Sequence, residues 1–162
     1  MTRRSFLVGG ATTAAATAMW AWPHRAVAGA QTFEVTHTDA EWRKLLTPDQ
    51  YEVLRHDATE PPGSSALLNE HRKGTFVCAG CALELFSSAT KFDSGTGWPS
   101  FWAPLANAVG TEDDRSFGML RSAVHCSKCG GHLGHVFNDG PKPTGLRYCM
   151  NGVAMTFSAA AA

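Results

Sequence analysis

The sequence predicts one mainly β domain opened by short N-terminal helices, and three observations carry that prediction. A chain of 162 residues suits one ordinary domain and is too short for two with cores of their own. From Gly74 onward, brief β-prone runs such as "TFVC", "HVF" and "RYCMNGVAMTF" alternate with glycine and proline turns; glycines cluster at Gly95/Gly97, Gly130/Gly131/Gly134 and Gly140/Gly145. Two CxxC turns, far apart in the chain, then offer a means of fastening distant segments together. The 14 basic and 14 acidic residues balance, so no charge excess draws the chain toward nucleic acid or an anionic membrane surface. A small, neutral or locally polar substrate is the more natural partner.

The N-terminus does not read as part of the fold. "TRRSFLVGG", Thr2 to Gly10, sets an arginine pair before a weakly apolar stretch that ends near "AVAGA", Ala26 to Ala30, with small residues suited to signal peptidase. Residues 1–30 are therefore expected to be a twin-arginine signal peptide. This implies an exported protein, periplasmic or extracellular, with no stable membrane span after cleavage. A basic, disordered leader or a retained anchor is the alternative. Because the twin-arginine route carries folded chains, it suits a domain that must take up a metal before export.

In "THTDAEWRKLLTPDQYEVLRH", Thr38 with Glu41 has capping-box spacing, and Thr47 with Pro48 and Gln50 makes a second cap with proline at the first helical position. Two short helices are expected, with Trp42, Leu45, Leu46, Tyr51, Val53 and Leu54 forming one apolar face. "TEPPGSS" ends the helical part. The domain proper is assigned to residues 31–158, and the closing alanines, residues 159–162, to a disordered tail.

The five cysteines are the most informative residues. "CAGC" places Cys78 and Cys81, and "CSKCGG" places Cys126 and Cys129, on tight turns with small neighbours. Two such knuckles complete a tetrahedral set of four thiolates, the pattern of a closed, structural zinc site with one Zn²⁺ per chain. Ala82 to His125 separate the pairs, so the metal would staple a whole domain. In an exported protein, two disulfides with a spare thiol are the competing reading.

Cys149 is left over. If "RYCMN" is a strand, alternation sends Arg147, Cys149 and Asn151 to one face and Tyr148 and Met150 to the other. A thiol flanked by a cation and an amide suits a nucleophile, because a nearby cation favours the thiolate; a buried, inert cysteine is the alternative. "GHLGHVFNDGP" supplies His132 and His135 between glycine turns, close in sequence to the second knuckle. With four cysteines already available as ligands, a proton donor is the better use of either histidine.

With CxxC…CxxC, "GTGWPSF", "HLGHVFNDGP" and "RYCMN" in that order, the chain resembles the methionine-R-sulfoxide reductases of the B type from about Thr38 to Phe157. The resemblance implies two antiparallel sheets in a β-tent, with a zinc on the side away from the active site. It also implies reduction of the R epimer of methionine sulfoxide in proteins and peptides, a repair step for oxidised methionine. Carried over position by position, Cys149 matches the nucleophile, His135 the histidine near the sulfoxide oxygen, Asn151 the asparagine after the nucleophile, and Trp98 the tryptophan of the substrate pocket. His132 and Asp139 fall within the same motif, His132 as a second candidate acid; Phe137 and Arg147 are assigned to the substrate side.

In the loop "SGTGWPSFW", Gly95, Gly97 and Pro99 then serve to bend the chain so that Trp98 walls the substrate's methyl group. Many members of the family carry a resolving cysteine in this loop, where the chain has Thr96. A one-cysteine enzyme is therefore expected, a monomer regenerated by a thioredoxin-like or other thiol reductant. A zinc-stapled binding module of the same fold, performing no reaction, is the competing reading from another class.

Overall fold

The computed structural model describes residues 32–118 and 120–161, so the twin-arginine reading of residues 1–30 lies outside the described residues. Both predicted helices form: α1 spans Asp39–Leu45 and α2 spans Pro48–His56. Each begins with the anticipated capping box, in which the Thr38 and Thr47 hydroxyls accept the backbone N–H of Glu41 and Gln50 while those side chains accept the cap residue's own N–H. Asp57, in the left-handed conformation, ends α2.

Trp42, Leu46, Tyr51, Val53 and Leu54 are buried as one face, but Leu45 is 60% exposed and must be removed from it. One position along a helix turns the side chain by about 100°. Since Trp42 and Leu46 stack four residues apart on the core side, Leu45 is carried off that stripe.

Among the described residues nine strands follow: β1 Gly74–Cys78, β2 Glu84–Ser87, β3 Lys91–Phe92, β4 Ser100–Phe101, β5 Val109–Asp114, β6 Arg121–Cys126, β7 His132–Phe137, β8 Arg147–Met150 and β9 Met155–Ala159. They form two antiparallel sheets, one in the order β2-β1-β9 and the other β3-β4-β8-β7-β6-β5. The run "RYCMNGVAMTF" is thus two strands. A 3-10 turn, Gly152–Ala154, separates them, and β8 and β9 belong to different sheets. At the C-terminus, Ala159 pairs with Gly74 and the Ala160 N–H bonds Lys73 O at 2.9 Å, so the ladder runs past the expected start of the tail.

The sheets close on an aromatic core. Phe76 and Phe86 from the small sheet meet Phe101 from the large one, Phe86 stacked on it at 4.4 Å and Phe76 edge-on at 4.9 Å. All three are fully buried with Leu85, Val124, Leu133 and Met150. Aromatic contacts of this kind contribute about 0.5–1.5 kcal/mol each beyond the area they bury.

Candidate functional site

Cysteine groups at two places, with different surroundings. Cys78 ends β1 in the small sheet and Cys126 ends β6 in the large one; Cys81 and Cys129 lie in the turns just beyond. Their four sulfurs lie within 4.8 Å of one another, with Cys78–Cys129 at 3.7 Å and Cys81–Cys126 at 3.5 Å. A tetrahedron with Zn–S bonds of about 2.3 Å has sulfurs about 3.8 Å apart, so the set fits a zinc-sized ion; disulfide bonding would need about 2.05 Å. Four sulfurs this close disfavour one another's ionisation, and a cation among them would offset that repulsion. An ion held by these four sulfurs would tie the two sheets together, since the ligands come from β1 and β6 and the turns after them. Leu54 packs beside Gly80 and Gly131 of the two turns, and Arg55 Nη1 donates to Cys129 O at 3.0 Å.

Cys149 stands elsewhere on the large sheet. Across the ladders, Ser100 of β4, Cys149 of β8, His135 of β7 and Ala123 of β6 lie directly opposite one another in turn. Ala123 is three residues up β6 from Cys126, so about 10 Å along the strand and two strand spacings, also about 10 Å, separate the thiol from the metal-type cluster. Paired positions share a face, which brings the Cys149 and His135 side chains together. Gly134 makes this close approach feasible: a Cβ there would meet Cys149 O at 2.2 Å.

A cavity of about 230 Å³ opens on this row, lined by Trp98, Phe137, His135, Cys149, Asn151 and Arg121, with Gly134 and Thr59. It is bounded by two aromatic rings, one thiol and one imidazole. A larger cleft adjoins it, shares His135, Arg121 and Thr59, and reaches out to Asp57, Glu112 and His132. The structure therefore brings Cys149, His135, Trp98, Phe137 and Asn151 to one cavity.

It does not bring His132 there, and Arg147 sits beside Cys149 at the edge of the cavity. His132 is buried against the adjoining cleft, its Nε2 without a partner and its Nδ1 3.9 Å from Asp57. Burial pushes its pKa down, and its ring packs edge-on to His135 at 5.4 Å. Arg147 interacts with the Cys149 thiol, makes two 2.8 Å bonds to the Asp139 carboxylate and lies 4.3 Å over the Phe137 ring. The strand alternation that put Arg147, Cys149 and Asn151 on one face holds for Arg147 and Cys149 but stops at Met150, because Asn151 begins the 3-10 turn.

Several residues that sequence reasoning missed hold the others in place. Asp114 of β5 lies 2.8 Å from His135 Nε2, receives Arg121 Nη2 at 2.6 Å and accepts the Ser116 N–H. Ser116 and His135 hold its carboxyl well below the usual carboxylate range. With Nε2 bound to Asp114, the other ring nitrogen, Nδ1, is the one left for exchange with a ligand. "TEDDRS" reads as a solvated charge run; the one signal available was that the β5–β6 hairpin sets Asp114 opposite Arg121.

Glu60 is the second such residue. Its carbonyl accepts Trp98 Nε1–H at 3.1 Å, its N–H donates to Asn151 Oδ1 at 3.0 Å, and its carboxylate accepts the N–H groups of Gly152 and Val153. Burial pushes that carboxyl up against these donors. Asn151 also donates through Nδ2 to Leu133 O, so its amide braces the turn after Cys149. The aromatic loop is pinned by the same segment: Gly63 N–H bonds Gly97 O at 2.7 Å, and Gly97, at φ +92°, has no room for a Cβ, which would lie 2.8 Å from Pro62.

Comparison with known proteins agrees with this geometry. The SelR domain matches residues 46–159. The peptide methionine sulfoxide reductase MsrB of Leptospira interrogans is 54% identical over 126 residues, covering 77% of this chain and 96% of that protein. Those of Bradyrhizobium diazoefficiens, at 55% over 123 residues (75% and 88% covered), and Methanosarcina barkeri, at 53% over 124 residues (76% and 87%), are similar. The chain belongs to the methionine sulfoxide reductase B family.

Proposed function

We propose that this member of the family reduces the R epimer of methionine sulfoxide in proteins and peptides, using Cys149 as nucleophile and His135 as proton donor. The chain is an oxidoreductase of the peptide methionine sulfoxide reductase class. The observation that carries the residue roles is the cross-strand pairing of His135 with Cys149 at an aromatic-walled cavity. The sulfoxide sulfur is electrophilic and its oxygen leaves poorly, so attack at sulfur must be joined to protonation of oxygen. Cys149 sulfur supplies the electron pair and His135 the proton. An S–S bond forms as the oxygen becomes a hydroxyl; that hydroxyl then moves from the substrate sulfur to Cys149 as the S–S bond breaks, its electron pair leaving with methionine, so Cys149 is left as a sulfenic acid.

Trp98 and Phe137 offer apolar surface to the methyl group and side-chain stem. Asn151 braces the turn after Cys149, while Arg147 lies beside the thiol and over the Phe137 ring. The adjoining cleft gives the flanking peptide a path. One Zn²⁺ on Cys78, Cys81, Cys126 and Cys129 supplies folding free energy and no reaction step.

Thr96 supports a one-cysteine cycle, in which two equivalents of an external thiol, thioredoxin-like or small, convert the sulfenic acid to thiol, water and a disulfide. Export by the twin-arginine route and a monomeric state complete the reading; the intact mass of periplasmic protein, cut or uncut near Gly29, tests the first. Among the described residues no helix is long and apolar enough to cross a membrane. Turnover of an R-sulfoxide peptide with dithiothreitol, against the S epimer as control, tests the reaction and decides against a non-catalytic binding module.

A further inference from the structure

Thr96 does more than occupy the place of an absent thiol. Its Oγ1 lies 3.7 Å from Cys149 Sγ and 2.8 Å from Ser94 Oγ; Ser94 Oγ lies 2.7 Å from Ser100 Oγ, and the Ser100 hydroxyl donates to Trp98 O at 3.1 Å. Ser94 Oγ also accepts the Thr96 N–H at 3.4 Å. Ser100 is fully buried in this row, opposite Cys149 on the neighbouring strand.

Each hydroxyl has one proton, and the far end of the chain is a carbonyl that can only accept. If Ser100 donates to that carbonyl, it must accept from Ser94, which must accept from Thr96, which is left with a lone pair for the Cys149 S–H. That arrangement satisfies a thiol. A thiolate needs a donor instead, and turning all three hydroxyls together provides one: Ser100 donates to Ser94, Ser94 to Thr96, and Thr96 to sulfur. The sole bond given up is the one to Trp98 O, and a charge-assisted hydrogen bond replaces it.

We propose that Thr96, Ser94 and Ser100 form a reversible hydroxyl relay, presenting an acceptor to the Cys149 thiol and a donor to its thiolate, with Thr96 as a positioning residue for the nucleophile. This rests on the reading of Cys149 as nucleophile. The titratable groups around Cys149 are His135 on β7, Arg121 on β6 with Asp114 on β5, and Arg147, which shares β8 and its face with Cys149, interacts with the thiol and is clamped to Asp139. Glu60 is bound to the turn after Cys149, and Asp93, at the root of the aromatic loop, accepts Gly95 N–H. None of them bonds to the relay hydroxyls, so substitutions there leave these charges in place.

The test is the pH dependence of iodoacetamide alkylation at Cys149, read by mass spectrometry of its peptide in the zinc-loaded full chain, without sulfoxide. Thr96→Val should move the midpoint up by about one pH unit, making alkylation about tenfold slower below it. Thr96→Ser keeps the hydroxyl and should stay within about twofold of the parent rate. Ser100→Ala should move the midpoint down or leave it in place, because reversal then sacrifices no bond to Trp98 O. Thermal melting checks that each variant is folded. An unmoved midpoint in Thr96→Val, a Thr96→Ser variant that behaves like it, or an upward shift in Ser100→Ala would overturn the relay and leave the three hydroxyls as loop scaffolding. The nucleophile itself is decided separately, by turnover of Cys149→Ser.

Discussion

The four-cysteine cluster and the Cys149 row use the same side chain for opposite ends, and the contrast lies in what surrounds the sulfur. At the cluster, each thiol has three others within 4.8 Å and three of the four are buried, so the four sulfurs could share one cation. At Cys149 there is a single half-exposed thiol, a cavity of about 230 Å³, an imidazole on the next strand and a hydroxyl at 3.7 Å. One arrangement joins the two sheets; the other leaves a reactive group facing open space. The lesson is that a thiol becomes structural or reactive through its neighbours, and that a single sheet can carry both because about 10 Å along and 10 Å across its strands keep them apart.

The sharpest way to break this division is Cys149→Ser. It is expected to lower sulfoxide reduction by about 10⁴-fold or more, because a hydroxyl is far too weakly acidic to replace the thiolate. Zinc content, measured by atomic emission, and the melting temperature should stay at parent values. Retained turnover would reverse the assignment of the two regions.

Cys129→Ser is the complementary change. Binding free energy at a structural metal site is folding free energy, so metal and stability should fall together, by more than about 4 kcal/mol in chemical denaturation. Activity should drop because the fold does. A metal-free variant of parent stability would show that the cluster is not a staple.

Within the reactive region, His135→Ala should slow the chemical step by about 10² to 10⁴, with binding less affected, as loss of a general acid does. Single-turnover kinetics read this directly; an undiminished rate would move the acid role to His132, despite its burial in the adjoining cleft. Trp98→Ala should weaken capture as well as rate, and the KM then separates it from His135→Ala.

Asp114→Asn should have a smaller effect, about tenfold on turnover, because the ring of His135 would lose its orienting carboxylate while the imidazole itself stays. The same residue fixes a pH signature. Its carboxyl is held low in the folded protein, so the stability it contributes is complete above about pH 4 and is lost as pH falls through the lower folded value. Acid denaturation of Asp114→Asn should accordingly be shallower than that of the parent below about pH 4. Equal slopes would show that Asp114 makes no net electrostatic contribution.

The parts of this molecule that were legible in the sequence are those whose physics is local. Thr38 and Thr47 announce their helices because a hydroxyl three residues before a Glu or Gln can satisfy the first free N–H groups without reference to anything distant. The CxxC spacings announce the knuckles for the same reason, since a tight turn alone sets two sulfurs side by side. Leu45 shows where such reasoning fails: membership of an apolar run says nothing of which 100° step faces the core.

What the sequence by itself determined, then, is the set of reagents: four cysteines for a metal, a fifth beside an aromatic loop, and two histidines in one short run. Tertiary structure alone decided which of them meet. His135 and not His132 stands opposite Cys149 because the β7–β8 register places it there, and Arg147 faces Asp139 and Phe137 because the glycine turn between them folds back. Asp114, Glu60 and Ser100 lie 21, 38 and more residues from the groups they hold or face. Strand register is settled by burial of a whole face and by pairing with segments distant in the chain. A shift of one residue would turn Asp114, Ser100 and His135 to the other side of the sheet.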